Sequence, residues 1–235
     1  MSVLLKLNEV ETYIGQFHIL QGVSFEVKQG SVTVLLGRNG AGKTTTLRTI
    51  MGLHPPAKGD VIYKGENIKK VPTFSIAKRG IGYVPEDQGI FAQLTVEENM
   101  KVAMKDEADE TNERLEWILK LFPDLKKFWK KHGGLLSGGQ KQMLSIARAY
   151  VNDNDLLLID EPSKGLAPIV VDKVMESIMQ MKEKTTIVLV EQNFYMASTI
   201  GDEFYIIDDG KTVKNGAMKI LKEDESLRQK YLGIA

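Results

Sequence analysis

Hydrophobic and polar residues alternate in the first thirty positions. Leu5, Leu7 and Val10 lead into Glu11–Gly15, and Val23, Phe25 and Val27 then interleave with Ser24, Glu26 and Lys28. This period-two pattern around a glycine-containing break predicts an antiparallel β piece. The texture then changes to short, unbroken apolar runs. Ser31–Leu36, between Gly30 and Gly37, and Leu156–Ile159 and Thr186–Val190 further on, read as strands buried on both faces. Gly59–Tyr63, Gly80–Val84 and Glu203–Ile207 are further strand candidates. Thr44–Met51, Gln140–Val151, Ile169–Lys182 and Phe194–Ser198 are predicted helices. Asp209-Gly210 predicts a hairpin turn. Strands and helices in alternation imply a mainly parallel sheet with helices on its faces. Between Thr95 and His132 the chain is rich in Lys, Glu, Asp and Met, with Leu115, Ile118, Leu119 and Phe122 at helical spacing, which predicts a helical subdomain inserted into the α/β part. The expected division is residues 1–86 and 152–235 for the core and 87–151 for the insert.

Composition narrows this picture without changing it. The 235 residues are 43% hydrophobic and 26% charged, as in an ordinary globular protein. Lys+Arg and Asp+Glu are 31 each, so the net charge is zero and lacks the basic excess of a nucleic-acid coat. Cysteine is absent, which excludes disulfides, thiolate metal sites and thiol nucleophiles. Met1–Val10 lacks the apolar core of a signal peptide. No apolar run approaches the roughly 20 residues of a membrane span.

The chemistry concentrates in three segments. Gly37-Arg38-Asn39-Gly40-Ala41-Gly42-Lys43-Thr44 fits the G-x-x-x-x-G-K-[ST] pattern between a predicted strand and a predicted helix. Glycines let successive backbone N–H groups point inward at phosphate oxygens, and the helix start adds its positive dipole end. Lys43 would supply a mobile charge for β- and γ-phosphates, Thr44 a hydroxyl for Mg2+, and Thr45 a contact to the α-phosphate. At the end of the second buried strand stand Asp160 and Glu161. Ligands gather at such strand ends in open α/β sheets. There Asp160 would hold Mg2+ and Glu161 would polarise an attacking water. The third segment, Leu136-Ser137-Gly138-Gly139-Gln140, places a Ser-Gly-Gly turn at a helix start with Ser137 as N-cap. A second anion site in a chain that already has a phosphate cradle makes sense across a dimer, where Ser137–Gln140 would close over the nucleotide of the partner.

Together these motifs resemble the ATP-binding cassette of ABC transporters over nearly the whole chain. The resemblance implies a P-loop NTPase fold with a mainly parallel core, an antiparallel β piece and the inserted helical subdomain. It implies an ATPase that uses ATP and Mg2+, with nucleotide contacts at Tyr13, Asn39, Gly40, Ala41, Gly42, Lys43, Thr44, Thr45, Ser137, Gly138, Gly139 and Gln140. Metal contacts would fall on Thr44, Glu86 and Asp160. By the residues alone, Tyr13 is equally an ordinary half-exposed strand aromatic; the resemblance assigns it to stacking on adenine.

Two positions depart from the common pattern. Glu86 stands where most cassettes have Gln, in Tyr83-Val84-Pro85-Glu86, and Gln192 stands where most have His, in Val190-Glu191-Gln192-Asn193. An amide does not titrate near neutral pH, so Glu161 carries more of the catalytic role beside Gln192. These departures, with Leu94-Thr95-Val96-Glu97-Glu98-Asn99, Gly165-Leu166-Ala167-Pro168 and Tyr231-Leu232-Gly233, are similar to the cassettes of branched-chain amino-acid importers. Importers of urea, short amides or other amino acids share the pattern, and a soluble ABC ATPase outside transport is a further alternative. The implied partners are a second cassette, of the same or a sister kind, and an integral membrane permease, contacted by the segment from Glu86 to Glu98. A periplasmic or extracellular binding protein is implied indirectly, and nucleic acid is not. The implied location is the cytoplasmic side of the cell membrane, held peripherally.

Overall fold

The computed structural model describes residues 2–106 and 108–233. The chain opens with two long strands, β1 (Val3–Ile14) and β2 (Phe17–Lys28), followed by β3 (Val32–Leu36) and helix α1 (Lys43–Ile50). Next come β4 (Lys58–Tyr63), β5 (Glu66–Asn67), α2 (Thr73–Lys78) and β6 (Ile81–Val84). Four helices follow: α3 (Val96–Ala103), α4 (Asp109–Leu121), α5 (Pro123–Lys127) and α6 (Gly138–Tyr150). The chain then alternates through β7 (Leu156–Asp160), α7 (Pro168–Lys182), β8 (Thr186–Val190), α8 (Phe194–Ile200) and β9 (Glu203–Asp208). It closes with β10 (Lys211–Ala217), α9 (Met218–Glu223) and α10 (Glu225–Leu232).

The strands form two sheets. A four-stranded antiparallel sheet runs β2-β1-β4-β5, and a six-stranded sheet runs β10-β9-β3-β8-β7-β6, parallel throughout except at β10. The expected antiparallel piece is therefore present, but β1 does not break at Glu11. It continues to Ile14, with an irregularity between Leu7 and Val10 where Glu9 takes a left-handed φ of 44°. A bulge of this kind lets a strand carry an extra residue without losing its partner.

The unbroken apolar runs serve two cores at once, because successive side chains of a strand point to opposite faces. Val32, Val34 and Leu36 of β3, Leu157 and Ile159 of β7, and Ile187 and Leu189 of β8 pack towards the helices α3 to α8. The intervening Leu35, Leu156, Leu158, Val188 and Val190 pack with α1 and the antiparallel sheet. Asp160 continues the Leu156–Leu158 face, which is why it meets α1.

The Asp209-Gly210 turn fastens the two sheets together. Both residues have positive φ, 44° and 72°, as the tight hairpin predicted from this dipeptide requires. Gln21 N–H donates to the Gly210 carbonyl at 2.8 Å, and Gly210 N–H donates to the Ala41 carbonyl at 3.0 Å. A Cβ at Gly210 would sit 2.2 Å from the Ile19 carbonyl oxygen. Gly15 has a similar φ of 59° but open space around it. Gly15→Ala is therefore expected to cost about 1–2 kcal/mol, and Gly210→Ala a further 1–3 kcal/mol or so because the clash must be relieved as well. Urea unfolding of the two variants checks the difference; equal losses would show that the turn gives way without strain.

Candidate functional site

The segment between β3 and α1 folds as a loop over the C-terminal end of the central sheet. Helix α1 starts at Lys43, and its N-cap, Gly42, supplies no side-chain hydrogen bond, so the first N–H groups of the helix face the loop uncapped by any side chain. Lys43 is only 4% exposed. Its Nζ donates to the Gly37 carbonyl at 2.9 Å and the Arg38 carbonyl at 3.0 Å, and lies 3.7 Å from Glu161 Oε1. Burial pulls the Lys43 ammonium below its ordinary pKa, while Glu161 and Asp160 act the other way.

Thr44 Oγ1 donates to Asp160 Oδ1 at 3.1 Å, and the Tyr83 hydroxyl reaches Asp160 Oδ2 at 3.4 Å. Burial pushes the Asp160 carboxyl up to about 6, the Thr44 bond opposes this, and the charges of Glu161 and Glu86 add to the rise. Glu161 leaves the strand with a left-handed φ of 46°, pinned by its N–H to the Val190 carbonyl at 2.9 Å. A non-glycine residue held there is strained, a condition that clusters at functional sites. Gln192 Nε2 donates both to Asn39 Oδ1 at 2.7 Å and to Glu161 Oε1, so one amide spans the loop and the carboxylate.

These groups border one cleft of about 390 Å³. Asn39, Gly40, Gly42, Lys43, Thr44 and Thr45 line it, together with Ile19, Glu86, Glu161 and Lys164. Ala41 lies beneath the loop, buried. Asp160 and Gln192 do not line the cleft themselves: Asp160 stands behind Thr44, and Gln192 bonds the lining residues Asn39 and Glu161. Tyr13 and Ser137 to Gln140 are not among the lining residues. Tyr13 is 45% exposed and stacks flat on His18, with ring centroids 4.2 Å apart. Ser137 and Gln140 form a reciprocal capping box: Gln140 N–H donates to Ser137 Oγ at 3.3 Å, and Ser137 N–H donates to Gln140 Oε1 at 3.0 Å. Ser137 is thus the N-cap of α6, as the sequence predicts. Lys164 and Ile19 belong to none of the sequence motifs. For Lys164 a signal exists: it stands three residues after Glu161 in a Pro-Ser-Lys-Gly segment, where a turn brings the two together.

Residues 20–164 match the sequence model for the ABC transporter family. The chain belongs to that family. It is an ABC ATPase, the ATP-binding cassette of an ABC transporter, which hydrolyses ATP to drive transport. It is 39% identical to the high-affinity branched-chain amino acid transport ATP-binding protein BraG of Pseudomonas aeruginosa, over 98% of this chain and 100% of that one. It is 37% identical to the probable branched-chain amino acid transport ATP-binding protein LivF of Archaeoglobus fulgidus, over 93% of this chain and 94% of that one. Among solved structures, the ATP-binding subunit of an ABC transporter superposes with a TM-score of 0.83 at 28% identity, covering 98% of this chain and 96% of that one. Among the described residues no helix of this cassette is long and apolar enough to cross a membrane.

An imidazole titrates near pH 6.5, whereas the Gln192 amide does not titrate at all. Gln192→His is expected to support hydrolysis while adding a limb to the pH–rate profile between about pH 5.5 and 7.5. Steady-state phosphate release across that range checks it; an unchanged profile would show that position 192 takes no part in proton transfer.

Proposed function

We propose that this cassette powers the uptake of branched-chain amino acids, with ATP held in the cleft at Lys43. The observation that carries the substrate class is full-length similarity to BraG and LivF together with the Glu191-Gln192-Asn193 segment. In this reading the polyphosphate lies against the uncapped start of α1. Lys43 exchanges its loop carbonyls for the β- and γ-phosphates, and Thr45 reaches the α-phosphate. Backbone N–H groups and a buried ammonium in a water-poor site are worth more to an anion than they are in bulk water.

The donors beside the phosphates suit Mg2+. Thr44 and Asp160 offer a hydroxyl and a carboxylate 3.1 Å apart, and Mg2+ takes oxygen ligands, usually one or two carboxylates alongside phosphate and water. Among the described residues no group of three acidic or imidazole side chains converges to hold an ion unaided, so the phosphates complete the site. When bound, Mg2+ neutralises charge on the β- and γ-phosphates. Glu161, oriented by Gln192, accepts a hydrogen bond from the attacking water and draws its proton away.

ABC cassettes dimerise and associate with transmembrane subunits. Here the capping box keeps Ser137 to Gln140 in a fixed turn that does not line its own cleft, which suits a turn presented to the nucleotide of a second cassette. The stretch 87–151 is the helical subdomain that presents it. Tyr13, exposed and already stacked on a ring, is available to adenine. The working complex sits on the cytoplasmic face of a permease, with Glu86 to Glu98 towards the membrane subunit.

Glu161→Gln is expected to retain ATP binding, lose turnover by about a hundredfold or more and accumulate as an ATP-bound dimer. Phosphate release and light scattering check both parts; turnover at the wild-type rate would remove Glu161 from its role. For the substrate, loss of this chain from its source is expected to abolish uptake of radiolabelled leucine and valine while leaving urea uptake intact. The reverse pattern would reassign the importer.

A further inference from the structure

Lys164 belongs to none of the motifs that define the cleft, yet it is placed to act on two carboxylates at once. Its Nζ pairs with Glu86 Oε1 and lies 3.8 Å from Glu161 Oε2. Two features of the fold create this arrangement. Glu86 and Glu161 leave the C-terminal ends of neighbouring parallel strands, since Val84 of β6 pairs with Ile159 of β7. A tight turn, closed by Lys164 N–H donating to the Glu161 carbonyl at 3.1 Å, then folds the lysine back over the strand end. Position 86 carries a charge here where the common cassette pattern has a neutral amide.

Among the charged residues lining the cleft, Glu86 and Glu161 face Lys43 and Lys164. Asp160, behind Thr44, adds a third carboxylate to the same end of the sheet. Without Lys164, Lys43 alone would stand against these three carboxylates in a cleft that must receive a polyanion. We propose that Lys164 is a charge-compensating positioning residue that offsets Glu86, so that the cleft accepts the polyphosphate of ATP and Glu161 keeps its place. This rests on the reading of the cleft as the ATP site. Glu86 and Glu161 both hold the Lys164 ammonium charged, pushing its pKa above the ordinary value. The lysine is 59% exposed, so the pair is screened and its contribution is that of a surface ion pair, not of a buried one.

The test is a double-mutant cycle on the full chain with Mg-ATP, measuring the dissociation constant by calorimetry and KM and kcat by phosphate release. Lys164→Ala is expected to weaken ATP binding and raise KM about three- to fivefold at low salt, and less in 0.5 M or so NaCl. Lys164→Arg is expected to restore both. Lys164→Ala combined with Glu86→Gln is expected to bind within about twofold of Glu86→Gln alone, because the charge that needed compensation has gone. An equal effect of Lys164→Ala with Glu or with Gln at position 86 overturns the proposal, as does an unchanged affinity. Lys43→Ala, measured alongside, separates the two levels. If it leaves ATP affinity at the wild-type value, the ATP-site reading fails and the proposal with it. If it abolishes binding while Lys164→Ala changes nothing, only the proposal fails.

Discussion

A buried ammonium group governs the arrangement of this cassette. Lys43 is almost fully withdrawn from water and is satisfied by two carbonyls of its own loop and by Glu161. An unpaired charge at that depth costs several kcal/mol. The strand ends that bring carboxylates opposite the loop are thus as necessary to the loop as the loop is to ligand binding. Pairing of β7 with β8, and of β8 with β3, sets that geometry through buried parallel registers, since β3 leads into the loop and β7 ends at Asp160. A one-residue slip of β7 would turn Asp160 away from Thr44 and exchange the two core faces.

The same economy extends outward. Glu161 is held between Lys43, Lys164 and the amide of Gln192, so its strained backbone is matched by contacts on several sides. Gln192 is fixed in turn by Asn39, which belongs to the loop. The cleft is lined by a closed set of mutual partners, in which the loop, Glu161, Gln192 and Lys164 hold one another in place.

Much of this was legible in the chain. The two-faced strands showed as apolar runs, and the Gly37–Thr44 loop and the Asp160-Glu161 pair sat in their required context. The Asp-Gly hairpin and the Ser137 cap were readable because local chemistry alone decides them. What escaped was decided through space. Helix α2 has only six residues and buries only Ile76, so no stripe announces it. Helices α9 and α10 are short and likewise set by docking: Leu221 and Leu227 join a helix-side core whose other members lie mostly far away in the sequence. Lys164 reads as one more surface lysine until the strand pairing of β6 with β7 brings Glu86 beside it. Tyr13 could be placed on a strand but not against a ring, because its stacking on His18 depends on how β1 turns into β2.

Glu191 shows how these layers are joined. Its carboxylate is 2% exposed and accepts four hydrogen bonds: from Ser163 Oγ at 2.8 Å, Ser163 N–H at 3.3 Å, Gln192 N–H at 2.8 Å and Asn193 N–H at 2.9 Å. Burial pushes its pKa up, and the hydrogen bonds from Asn193, Ser163 and Gln192 oppose that rise. An acid buried this deeply is tolerated only because nearly every lone pair is used. Its partners belong to the two segments that flank Glu161: the turn that carries Lys164 and the segment that carries Gln192. Both segments are therefore anchored to one buried group, which fixes the charge above Glu161 and the amide beside it relative to each other.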